Sequence, residues 1–84
     1  MNITLKLFAS LTDYLPPQAK YSNLVALDIA PQTTIGQLVE QYRLPPKQVH
    51  LVLVNGSYVA PDQRSQRTLA EGDVLAIWPP IAGG

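Results

Sequence analysis

Helical periodicity occurs once in this chain, between residues 34 and 44, and that single segment limits the architectures open to it. Thr34-Ile35-Gly36-Gln37 has the form of a capping box: the Thr34 hydroxyl accepts from the Gln37 amide, and the Gln37 side chain reaches back to the Thr34 amide. Ile35, Leu38, Val39 and Tyr42 then recur at i, i+3, i+4 and i+7, giving one apolar stripe, and Pro45-Pro46 stops the helix near Leu44. One helix can cover one face of one sheet. With 84 residues, the chain has material for a single core, burying roughly 60% of its unfolded surface.

The remaining apolar segments read as strands. Ile3, Leu5 and Leu7 alternate with Thr4 and Lys6, so a first strand is expected over residues 2–8. Residues 13–19 carry Pro16-Pro17 and form a connection, with one helical turn expected over 10–15. A second strand follows over 24–29 and is expected to pair with the first despite the long link between them. Residues 49–54 are a β-rich run ending in Asn55-Gly56, a dipeptide that accepts positive φ and so predicts a two-residue turn into a short strand over 57–59. After Pro61 and a polar loop over 62–68, Glu71-Gly72-Asp73 turns the chain into a last strand over 74–78. Its near-continuous hydrophobicity predicts a central position. Strand, strand, helix, strand, short strand, strand makes an α+β domain. The second sheet face should be partly apolar and open to a partner, and Phe8, Val52 and Val54 are assigned to it.

Composition removes several classes of function. Hydrophobic residues make up 46% and charged residues 14%, the balance of a globular chain. Six basic and six acidic residues give zero net charge with no basic cluster, which speaks against nucleic-acid or anionic-membrane binding. Cysteine is absent, excluding disulfides, thiolate nucleophiles and thiolate metal sites, and His50 is the sole histidine, excluding a site with two histidine ligands. The first seven residues alternate in polarity and read as neither signal peptide nor membrane span, so the expected location is cytoplasmic. His50 is expected to be an exposed strand residue; Asp62 and Asp73 have turn roles. The cations Lys6, Lys20, Arg43, Lys47, Arg64 and Arg67 are scattered and expected in solvent, with Arg64 and Arg67 placed to touch a partner.

The chain closes with Pro79-Pro80-Ile81-Ala82-Gly83-Gly84. Two residues without amide donors end the ladder at Trp78 and favour an extended spacer, which divides the chain into a domain over 1–78 and a tail over 79–84. Ile81 and Ala82 offer a small apolar handle. Gly83 and Gly84 lack Cβ, so another protein can close a narrow channel around them. A carboxylate resists nucleophiles until one oxygen becomes a leaving group, and an acyl adenylate formed with ATP achieves this. The tail suits presentation to such an activating enzyme, with Trp78 and Phe8 as sheet residues that can also anchor the contact.

Three segments, LKLFASL near the start, LVLVNGSYV in the middle and LAEGDVLAIWPPIAGG at the end, resemble the MoaD/ThiS family of sulfur carriers, ubiquitin-like β-grasp proteins that end in Gly-Gly. The resemblance implies a mixed sheet of four to five strands on one main helix. It also implies a protein substrate rather than an enzyme, with no tightly bound cofactor and no metal. Gly84 would be adenylated by an E1-like partner using ATP, converted to a thiocarboxylate, and would pass its sulfur to a synthase, with Gly83, Ala82, Ile81, Pro80, Trp78 and Phe8 meeting these partners. Length and the LFASL opening look most like the molybdopterin synthase small subunit, implying that enzyme's large subunit as acceptor. Two alternatives stay open: a ubiquitin-like modifier joined to lysines through Gly84, and a carrier for thiamine or tRNA thiolation.

Overall fold

Alternation at the start of the chain becomes β1 (Asn2–Leu7), with Ile3, Leu5 and Leu7 buried and Thr4 and Lys6 on the opposite face. The computed structural model describes residues 1–80, so the expectations for Ile81, Ala82, Gly83 and Gly84 lie outside the described residues. After β1 come two 3-10 segments, the six-residue Ala9–Tyr14 and the single turn Pro17–Ala19, then β2 (Leu24–Asp28), α1 (Ile35–Gln41), a 3-10 turn at Pro46–Gln48, β3 (Leu51–Val54), β4 (Ser57–Tyr58), a 3-10 turn at Pro61–Gln63 and β5 (Val74–Trp78). The sheet order is β2-β1-β5-β3-β4. β5 lies at its centre, parallel to β1 and antiparallel to β3, as its run of apolar residues predicts.

The link from β1 to β2 does more than connect. Leu11, Leu15 and Ala19 are buried in the same core as α1, so the link packs beside the sheet and returns the chain to pair antiparallel with β1. The core lies between one sheet face and α1, whose Ile35 and Leu38 are fully buried.

Val52 and Val54 do not belong to the open face. Both are buried on the helix side, because β3 enters with Leu51 opposite Trp78, which sets Val52 against Ile77 and Val54 against Leu75. In a run of four apolar residues nothing in the sequence distinguishes the two parities. The open face takes Leu51 and Leu53 instead, while Phe8 does lie on it beside Trp78.

The capping box forms as expected, with Gln37 N–H to Thr34 Oγ1 at 3.1 Å and Thr34 N–H to Gln37 Oε1 at 2.9 Å. Gly36 lies close to the loop after β4: a Cβ there would stand 3.1 Å from Ser65 Cα, so a side chain would press the Ser65 backbone outward by a few tenths of an ångström. The helix ends earlier than Leu44. Arg43 adopts φ 58°, its N–H bonds Glu40 O and the Leu44 N–H bonds Val39 O, a Schellman closure that drops Leu44 into the core. An L-residue pays about 1–2 kcal/mol for that conformation, and glycine returns part of this as unfolded-chain entropy. Arg43→Gly is therefore expected to stabilise the fold by about 0.5 kcal/mol, read as a rise of roughly 2–4 °C in thermal midpoint. A lower midpoint would mean that the arginine stem packs more than its exposure suggests.

At the predicted hairpin, Asn55 (φ 51°) and Gly56 (φ 83°) form the two-residue turn that pairs Val54 with Ser57 and Leu53 with Tyr58.

Candidate functional site

The ladder of β5 stops where the sequence predicts. His50 N–H donates to Trp78 O at 3.0 Å, and Pro79 and Pro80 bring no donors to continue. On the other side of β5, Phe8 N–H donates to Ile77 O at 3.2 Å, extending the parallel register so that Phe8 and Trp78 share the open face. Their rings stack with centroids 4.0 Å apart and planes 4° from parallel. Such pairs contribute about 0.5–1.5 kcal/mol beyond the area they bury. This rigid aromatic pair stands where the chain leaves the sheet.

From it an apolar band runs across the open face. Leu51 lies opposite Trp78; Ala76 lies between Lys6 of β1 and Leu53 of β3; Leu24 and Tyr58 close the band at the two sheet edges. Leu24 is 42% exposed and Tyr58 58%, while Phe8, Trp78, Leu51 and Leu53 are half-buried with no element over them. Lys6 interrupts the band between Leu24 and Ala76, and the apolar patch that remains, Phe8, Trp78, Leu51, Leu53 and Tyr58, is the kind of surface that marks an interaction site. Pro79 is half-buried and Pro80 exposed. Among the described site residues the structure thus brings Phe8 and Trp78 together at one end of one face, with Pro80 two residues further along the chain from Trp78. Leu24, Leu51, Leu53 and Tyr58 were not singled out from sequence. The two-residue turn alone places Tyr58 opposite Leu53, so its position follows from the Asn55-Gly56 signal.

Arg64 is not a solvated cation. It is buried, donating from Nε to Val59 O at 3.1 Å, from Nη1 to Val49 O at 3.2 Å and from Nη2 to His50 O at 3.0 Å. Among the described residues no carboxylate lies within ion-pair distance of it. The three carbonyls belong to the segment entering β3 and to the residue after β4, so the guanidinium ties these ends to the loop that contacts Gly36. Beside it runs a groove of about 500 Å³ lined by Val39, Val49, His50, Tyr58 and Ser65. Arg67 and His50 are exposed, as expected.

Asp73 acts in a turn. Its carboxylate accepts from Ala70 N–H and from Asn55 Nδ2, both at 2.8 Å, and the Ala70 bond first, then Asn55, holds its pKa below the ordinary value. A depressed carboxyl contributes stability that is complete above its unfolded pKa of about 4 and is lost as pH falls through the lower folded value. The stability gap between the native chain and Asp73→Asn should accordingly be constant from neutral pH to about pH 4 and shrink below it. Urea midpoints of both proteins at several pH values measure this; a gap that persists at pH 2 would place the effect in the neutral hydrogen bonds.

Among the described residues no group of three or more histidines and carboxylates could hold a metal ion, and no helix is long and apolar enough to cross a membrane. The element order, mixed sheet and single main helix define a ubiquitin-like β-grasp protein. Residues 6–84 match the ThiS family, and the chain belongs to that family. The solved structures similar to it include small archaeal modifier protein 1 from Haloferax volcanii, with 28% identity, all of both chains covered and a TM-score of 0.67. The HVO 2177 protein of Haloferax volcanii shares 21% identity over 100% of this chain and 87% of that one, with a TM-score of 0.72. A putative molybdopterin converting factor, subunit 1, from Pyrococcus furiosus shares 19% identity over 96% of this chain and 99% of that one, with a TM-score of 0.64. No curated protein sequence matches the chain. It is a small protein of the carrier or modifier kind, not an enzyme.

Proposed function

We propose that this chain is a sulfur carrier whose Gly84 carboxylate cycles between acid, acyl adenylate and thiocarboxylate. A carboxylate oxygen attacks the α-phosphorus of ATP and releases pyrophosphate; a sulfur nucleophile then displaces AMP, leaving one sulfur where one oxygen stood. The observation that carries this reading is the family match, which runs through residue 84 and so takes in Gly83-Gly84. The E1-like activating enzyme supplies the ATP site and the carrier supplies the acyl group. In this reading residues 79–84 are the tail, Phe8 and Trp78 anchor the partners at its root, and Pro80, Ile81, Ala82 and Gly83 are threaded by them. The location is cytoplasmic. The acceptor is a synthase, with molybdopterin synthase first in order because of the LFASL opening and chain length.

A second reading has its own support: the likeness to small archaeal modifier protein 1 covers all of both chains. Here the same adenylate would end in an amide to a lysine of another protein. The two readings share every step up to the adenylate.

Incubation with an activating enzyme, ATP and a sulfur donor is expected to change the intact mass by the difference between sulfur and oxygen. An unchanged mass where a control carrier converts would sink the carrier reading. Covalent ladders on a denaturing gel that vanish when Gly84 is deleted would select the modifier. Rescue of a strain lacking the molybdopterin synthase small subunit tests the pathway.

A further inference from the structure

Each edge of the sheet meets solvent differently. β4 is two residues long, too short to template another strand, whereas β2 runs for five residues with β1 as its single neighbour. The Leu7 N–H donates to Asn23 O at 3.0 Å and the Ile29 N–H to Met1 O at 2.8 Å. In antiparallel alternation, residues 23, 25, 27 and 29 therefore turn their backbone groups toward β1. The N–H and C=O groups of Leu24, Ala26 and Asp28 point outward from the sheet.

The usual protections of such an edge are missing from β2. It holds no proline, no lysine and no bulge, its Asp28 carboxylate is paired with the Met1 ammonium at 3.1 Å, and of its outward backbone groups the Leu24 carbonyl has a long contact from the Ser22 hydroxyl at 3.4 Å that an incoming strand would displace. Its core-side residues are also incompletely covered: Val25 and Leu27 are half-buried where Ile3, Leu5 and Leu7 of β1 are buried.

We propose that a second copy of this chain pairs with the edge, β2 antiparallel to β2, with Ala26 on the two-fold axis. The outward groups are symmetric about that residue. Ala26 faces Ala26, and Leu24 of each copy faces Asp28 of the other, so three residue pairs exchange both their hydrogen bonds. On the core side Val25 meets Leu27 of the other copy and covers the apolar surface that α1 leaves open. On the open face Lys6 and the other copy's Asp28 flank Leu24, and the zero net charge of each chain adds no repulsion. A two-fold axis perpendicular to the sheet keeps both apolar bands on the same side. It also sends the two β5 strands in opposite directions within a continuous ten-stranded sheet, so the two Trp78 residues end their strands on opposite sides of the dimer.

Two five-residue strands bury less than the roughly 1,200 Å² of a stable interface, so the dimer is transient. Sedimentation of the full chain from about 10 µM to about 1 mM, the range of weak association, is expected to show the mean mass rising from 9.2 kDa toward twice that value. In amide spectra the Leu24, Ala26 and Asp28 N–H signals should move with concentration. Ala26→Pro removes a donor that makes no bond to β1, and Ala26→Lys sets two like charges at the axis; each should weaken association at least about tenfold. The lysine variant retains the backbone donor, so its thermal midpoint should match the native one and it carries the test if the proline variant is unstable. A monomer throughout overturns the proposal. A dimer that survives Ala26→Lys, or one whose shifts fall on Leu53, Phe8 and Trp78, overturns it as well.

Discussion

Gly83→Val is expected to block adenylation of Gly84 while leaving the folded domain unchanged. The carrier reading requires a partner to close around the last residues, and a valine there brings two γ-carbons on a branched Cβ into a channel sized for a bare backbone. Misplacing the reacting carboxylate by even 1 Å costs about a hundredfold in rate, so pyrophosphate exchange driven by the variant should fall by at least that factor. β5 ends at Trp78, five positions earlier, so stability should move by no more than about 0.5 kcal/mol. Thermal melting beside the exchange assay separates the two effects. Normal adenylation by a folded Gly83→Val chain would show that the glycines are not selected for passage, and the carrier and modifier readings would lose their shared mechanism.

Arg64→Ala should cause the largest loss of stability among single changes outside the apolar core. Its guanidinium is the donor to Val49 O, His50 O and Val59 O, and truncation leaves these carbonyls to water entering from the adjoining groove. With about 1–3 kcal/mol for a buried acceptor that loses its partner, and partial rehydration, the expected cost is about 2–4 kcal/mol. For a domain of this size that lowers the thermal midpoint by roughly 10–25 °C. Arg64→Lys should recover little, because one ammonium on a flexible stem cannot span three carbonyls held by a planar fork. A loss below about 1 kcal/mol would show that water satisfies the three carbonyls as well as the arginine does.

The contrast between Arg64 and α1 shows what was legible in the sequence. The helix announces itself through local rules, since the Thr34 cap, the Gln37 return bond and the apolar stripe all lie within one segment. The central place of β5 follows from five residues, because a strand with Leu75, Ala76 and Ile77 in succession has apolar side chains on both faces. Arg64 carries no local signal. Its acceptors are main-chain carbonyls five, fourteen and fifteen positions away, and a carbonyl is present at every residue, so no side-chain type marks the partnership. The same gap explains the parity of β3: Leu51-Val52-Leu53-Val54 satisfies either face, and only the register against β5 decides. Of the site itself, Phe8 and Trp78 were readable individually. Their stacking was not, since it depends on a parallel pairing between the first and last strands.

That pairing also governs when the protein can exist. β1 and β5 are adjacent at the middle of the sheet, yet they are separated by almost the entire chain. Until β5 joins, the earlier segments amount to two disconnected hairpins, β1 with β2 and β3 with β4, neither of which closes over the core. Loop closure on this scale is slow, and during synthesis it must wait for Trp78 to emerge. A copy truncated before β5 lacks the strand that joins β1 to β3 and is expected not to fold. Every chain that folds therefore carries the strand from which the glycine-bearing segment departs, although folding itself places no demand on the residues beyond Trp78.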